Sequence, residues 1–207
     1  MYKQFRWERS CGRITKYFGF ILVFCLFAMP RGVFAGAPTA QLSATIDEFV
    51  TILTNTPVSE LRTTGLPEKA LKLILHRFDF SEMTQLSLGT HWKSLNAGQQ
   101  KEFVDAFTQR ILVTYGRTVR SSGDEKILYQ QELQNGKQAE VATKVVNGSG
   151  GELPIDYQLH EINGQWKVYD VTIDSVSMVK NFREQFQRVI ARSSLEELLK
   201  TLKERNS

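Results

Sequence analysis

Cysteine is nearly absent from this chain of 207 residues, and the two present, Cys11 and Cys25, both lie within the first 35. A disulfide framework is thereby excluded, as are thiolate catalysis and cysteine-ligated metals in everything that follows the leader. Five prolines and 14 glycines are too few for a fibre, and a hydrophobic content of 42% is too high for disorder. The usual catalytic signatures are missing too. The three histidines, His76, His91 and His160, form no H-E-x-x-H pair, and there is no P-loop, G-x-G-x-x-G or G-x-S-x-G. Ser149 has glycine on each side but in the wrong register for a nucleophile elbow, and Asn147-Gly148-Ser149 fits a glycosylation sequon of the kind common by chance. His76 falls near a helix C-terminus, a favourable place for a partly charged imidazole.

What is present begins with charge. The formal balance is +4, and Lys3, Arg6, Arg9, Arg13, Lys16 and Arg31 stand in the first 35 residues against Glu8 alone. Between Tyr17 and Met29 runs YFGFILVFCLFAM, thirteen uncharged residues, short of the roughly 20 a spanning helix needs. Val33-Phe34-Ala35 then offers small residues at both positions that signal peptidase reads. Residues 1–35 therefore read as a secretory signal cleaved after Ala35. The remainder, 36–207, carries 20 basic and 21 acidic side chains, net −1, so the basic-protein argument for nucleic acid leaves with the leader. Its length suits a single domain.

Within that domain, 36–122 reads mainly helical. Leu42, Ile46, Phe49, Val50 and Leu53 share a face before the Thr56-Pro57 break, and Pro67 sits at a second helix start. Asp79 with Glu82 and Asn96 with Gln99 have capping-box spacing. Phe103, Phe107, Ile111 and Tyr115 then form an i, i+4 ladder ending near Arg120. From 123 to 174 the chain alternates with period two in four segments joined by short turns, two of them marked by Asn135-Gly136 and Asn163-Gly164. Four strands so joined make an antiparallel meander. Residues 175–207 return to helix, with Val179, Phe182, Phe186, Val189 and Ile190 on one face and Ser194 capping the last helix. The class is α+β. Leu153, Ile155, Tyr157 and Leu159 share one strand face. In the last strand Trp166 and Val168 alternate to one side and Tyr169, Val171 and Ile173 to the other, which implies helices on both faces. Such surplus apolar faces enclose a cone-shaped cavity or pack solidly, and periodicity alone favours solid packing.

Three stretches carry a resemblance: FDFSEMTQLSLGTHW (Phe78–Trp92), LNAGQQKEFVDAFTQRILVTYG (Leu95–Gly116) and WKVYDVTIDSVSMVKNFREQF (Trp166–Phe186). Together they resemble the MlaC (toluene-tolerance) family of periplasmic phospholipid-binding proteins over most of residues 40–203. One departure is Ser175, where the family pattern has glycine before Val176-Ser177. The resemblance implies an NTF2-like cone, a curved four-stranded antiparallel sheet against helices with a helical subdomain. It implies a non-enzymatic periplasmic carrier of a Gram-negative bacterium, with phospholipid as cargo and no cofactor or metal. Its partners would be an outer-membrane lipoprotein–porin complex and an inner-membrane ABC transporter containing an MCE-domain protein, and its role the maintenance of outer-membrane lipid asymmetry. On that expectation the tails meet Phe107, Ile111 and Tyr115 on the long helix, Tyr157, Val168, Val171 and Ile173 on the sheet, and Val176 and Met178 at the turn. Leu88 and Trp92 close one end, and Arg183 is a candidate for the head-group phosphate. A two-tailed lipid has roughly 30 methylenes, each worth about 0.8 kcal/mol out of water, so an aqueous carrier must hide them. Three other readings stand beside this one. They are a hopanoid-type cargo, an NTF2-like enzyme on a small apolar substrate with Asp170 or Asp174 as base, and an envelope adaptor without cargo.

Overall fold

Most of the sequence signals for helix ends hold in the computed structural model, which describes residues 36–63, 66–116 and 125–204. The leader at 1–35, the helix end near Arg120 and the Gly123-Asp124 boundary lie outside the described residues.

Helix α1 (Ala37–Thr54) has proline in its first turn and buries Leu42 and Leu53. Its free N–H groups are met from the sheet, where Glu132 accepts from Thr39 N at 2.8 Å, an acidic group at the positive end of the helix. A short α2 (Val58–Thr63) follows, too brief to leave a period. Helices α3 (Glu68–Arg77) and α4 (Phe80–Leu88) are separated by Asp79, whose carboxylate accepts from Glu82 N at 2.9 Å. A 3-10 turn, Gly89–Ser94, leads to α5 (Ala97–Gly116), opened by a reciprocal capping box in which Asn96 and Gln99 each accept the other's N–H at 3.0 Å. After the sheet come α6 (Met178–Arg192), capped by Ser177, and α7 (Leu195–Glu204), capped by Ser194.

The sheet is an antiparallel meander of β1 (Lys126–Asn135), β2 (Gln138–Val146), β3 (Glu152–Ile162) and β4 (Gln165–Ile173), in sequence order. A two-residue β5 (Val176–Ser177) adds a fifth strand beside β4. The other half of that edge is closed by residues 77–79: Asp79 N donates to Val168 O at 2.8 Å, and the buried Arg77 donates to Trp166 O, Gln41 and Thr45, tying α1, α3 and β4 together. Asn163 and Gly164 both have positive φ (51° and 79°), as a type I′ turn requires. At the first hairpin the loop is Gly136-Lys137, one residue later than the Asn-Gly signal, with Gly136 at φ 58°.

Two bulges change which side chains share a face, and one of them corrects the sequence reading. In β4, Leu159 opposes Val168 and Gln158 opposes Asp170, so Tyr169 is an extra residue. Opposed residues of an antiparallel pair share a face. Trp166, Val168, Val171 and Ile173 therefore all lie on the face of Leu159, Tyr157 and Ile155, and the apolar groups of β4 are not split between two sides. In β1, Gln130 is the extra residue: Tyr129 opposes Thr143, while after the bulge Glu132 opposes Val141. Leu128 and Leu133 are thereby left on the opposite, outer face, at 48% and 55% exposure. Bulges bend the strands that hold them, which gives the sheet its curvature.

The core lies between the inner sheet face and the helices. Phe107 of α5 meets Phe182 and Phe186 of α6 edge to face, with ring centres 4.9 and 5.3 Å apart, and Leu42, Met83, Leu88, Val141, Leu159 and Val168 complete it.

Candidate functional site

The inner face of the sheet is covered unevenly. Ala139, Val141, Leu159, Trp166 and Val168 are buried, whereas Tyr129, Ile155, Tyr157 and Ile173, toward the β2–β3 turn, are half-buried against the same core. At the rim of this half, Leu153 is 40% and Val176 57% exposed.

Of the eleven residues expected to line a cavity, Leu88, Phe107, Ile111, Val168, Val171 and Met178 are buried in one contiguous cluster. Trp92, Tyr115, Tyr157 and Ile173 are half-buried and packed against it. Val176 stands apart on the exposed edge strand. Arg183 is exposed on α6, and its guanidinium lies across Gly89 at the end of α4, 3.2 Å from where a β-carbon would stand. Gly89 has φ 59°, a left-handed conformation that favours glycine.

Tyrosine is the polar element of the inner face. Burial pushes the Tyr157 hydroxyl up to about 12. The Tyr129 hydroxyl is raised further, by burial first and then by the charges of Asp47 and Tyr157. Tyr129 is absent from the residues expected from sequence, although its period-two phase with Ile127, ahead of the bulge at Gln130, marks it for the inner face. Tyr115 is also raised by burial.

A separate open groove of about 540 Å³ lies among α3, α4, α5 and the β3–β4 turn, floored by Leu75, Phe78, Phe80, Val104 and Ile162, with Asp79, Asp105 and Lys167 around it. None of the eleven residues lines it.

The carboxylates considered as bases are placed for structure. Asp170 lies on the outer face and accepts from Val171 N (2.8 Å), Val179 N (3.0 Å) and Ser177 Oγ (2.5 Å), fixing the passage from β4 into α6. Asp174 is exposed in the β4–β5 turn. His160 contacts Asp79 at 3.0 Å beside Tyr169 on the outer face. His76 lies in the last turn of α3, where Lys167 donates to its carbonyl, and that charge, followed by burial and Arg77, lowers the imidazole below its ordinary value. Among the described residues no group of three His, Cys, Asp or Glu is arranged to hold a metal ion, and no helix is long and apolar enough to cross a membrane.

The family described as MlaC protein matches residues 40–204. Toluene tolerance protein ttg2D of Pseudomonas putida is 30% identical over 96 residues, 46% of this chain and 45% of that protein. The intermembrane phospholipid transport system binding protein MlaC of Haemophilus influenzae is 24% identical over 117 residues, 54% of this chain and 55% of its own. The chain spans about half the length of these curated relatives. A solved phospholipid-binding protein from Ralstonia solanacearum, in complex with a phospholipid, is 27% identical with a TM-score of 0.69, covering 82% of this chain and 96% of that one.

Proposed function

Because the chain belongs to the MlaC family, matched over residues 40–204, we propose that it is an exported phospholipid carrier that performs no chemistry. The observation that carries this reading is the inner sheet face, largely apolar along β2, β3, β4 and the first half of β1, and only half-covered near Tyr129, Ile155, Tyr157 and Ile173. The likeness to a phospholipid complex over most of the fold supports it. On this reading residues 1–35 are removed in export, and the mature domain, near-neutral at net −1, diffuses across the periplasm without adhering to either membrane. It passes lipid between an outer-membrane lipoprotein–porin complex and an inner-membrane MCE-containing ABC transporter, which maintains outer-membrane lipid asymmetry. The tails enter where the face is half-covered, between Tyr115, Tyr157, Ile173 and Val176, and reach Phe107, Ile111, Val168, Val171 and Met178 as the helices part from the sheet. Leu88 and Trp92 bound the far end, and Arg183 is available to the head group.

The test is native mass spectrometry of the purified protein, followed by organic extraction. A phospholipid of defined mass should co-purify and should reload after delipidation. A protein that never takes up phospholipid from vesicles would overturn the reading, and a hopanoid in the extract would change the cargo.

A further inference from the structure

Tyr129 Oη is shielded from water and meets no hydrogen-bond partner. Buried hydroxyls seldom stay unpaired, because the lost bonds to water are not replaced. The sheet offers it nothing. Thr143, directly opposite on β2, donates its own hydroxyl to Ile155 O at 2.7 Å, and Tyr157 lies diagonally across on β3 with its ring against the core. Asp47, exposed on α1, is within electrostatic reach of it but not bonded. The hydroxyl thus sits buried between the apolar inner face of the sheet and the charge of an α1 carboxylate.

A diacyl phospholipid has a layer that fits such a position. Between its tails and its charged head lie two ester carbonyls, which accept hydrogen bonds and donate none. We infer that the Tyr129 hydroxyl donates to an ester carbonyl of the bound lipid, so that the protein selects ester-linked glycerolipids over lipids without that acceptor. The inference rests on the phospholipid-carrier reading and adds a chemical criterion for cargo. A polar group left unpaired by the wrong ligand discriminates more strongly than a missing methylene does.

The test uses the delipidated protein and a matched pair of probes: a diacyl phosphatidylglycerol and its dialkyl ether of equal chain length. The wild type should bind the diacyl form about tenfold more tightly, the order expected for one buried hydrogen bond. Tyr129→Phe keeps the ring and removes the donor. It should bind both probes with the wild type's dialkyl affinity, and its unfolding midpoint should not fall, since no native bond is lost. Equal binding of the two probes by the wild type would overturn the inference while leaving the carrier reading intact. Loss of dialkyl binding in Tyr129→Phe would make the residue's role one of shape and overturn it as well. Binding of neither probe to the wild type would overturn the carrier reading itself.

Discussion

Ser175 holds a backbone conformation that its side chain opposes. Together with Asp174 it forms the two-residue turn between β4 and β5, with φ of 48° at Asp174 and 66° at Ser175. A left-handed residue with a β-carbon costs roughly 1–2 kcal/mol, part of which glycine gives back through its freer unfolded chain. Ser175→Gly should therefore stabilise the protein by about 0.5–1 kcal/mol, seen as a higher urea midpoint with unchanged slope. A lower midpoint would mean that the serine side chain has a structural role. Asp156 makes a second case. Burial, and then the charge of Glu140, raise its carboxyl above its ordinary value. A carboxyl raised on folding binds its proton more tightly in the native state, so its contribution to stability is present at low pH and is lost as pH rises through its folded pKa. Asp156→Asn mimics the protonated form. It should raise the urea midpoint at pH 7 and leave it unchanged below the ordinary carboxylate range. An equal gain at both pH values would rule out charge as the cause.

At the scale of elements, the N-terminus of α1 depends on a residue nearly a hundred positions away. A β-carbon on Gly36 would stand 2.0 Å from the Glu132 carboxylate that accepts from Thr39 N. Gly36→Ala should push that carboxylate aside and cost about 1 kcal/mol, the usual worth of a helix cap, measured by thermal or urea unfolding. Glu132→Gln in the same background should add little, because the bond is already lost. That long-range cap was not legible in the sequence, whereas the local ones were: Asp79, Asn96 and Ser194 sit at the expected spacings and make the expected bonds. Strands were legible from alternation and Asn-Gly turns, but their faces were not. One extra residue, Tyr169 in β4 or Gln130 in β1, inverts everything beyond it, and such a residue carries no composition of its own. For this reason plain alternation puts Val171 and Ile173 on the side opposite Val168, where the structure has all three on one face. The family resemblance, carried by local motifs such as Trp166–Phe186, does not depend on register and survived intact.

At the scale of the whole molecule, carrying a lipid conflicts with a well-packed interior. Phe107, Val168 and Leu88 are fully buried, and Phe107 is held edge to face by Phe182 and Phe186, so two acyl chains cannot reach them in this packing. On the proposed carrier reading, loading separates α5 and α6 from the inner face of the sheet, while the ladder from β1 to β4 stays intact. The missing cysteines make this measurable, because residues 36–207 contain none and two engineered thiols label cleanly. One label at Arg188, exposed on α6, and one at Leu133, exposed on the outer face of β1, sit on the two layers without entering the core. Their distance, read by pulsed electron resonance, should lengthen on loading with diacyl phosphatidylglycerol and return on delipidation. Amide exchange in β2 and β3 should be unchanged by loading, because those strands keep both neighbours. Lipid bound at an unchanged distance would mean that the tails lie in the open groove beside Leu75, Phe80 and Ile162 and that the core never opens. Leu75→Asp would then abolish uptake, and Val171→Trp would not.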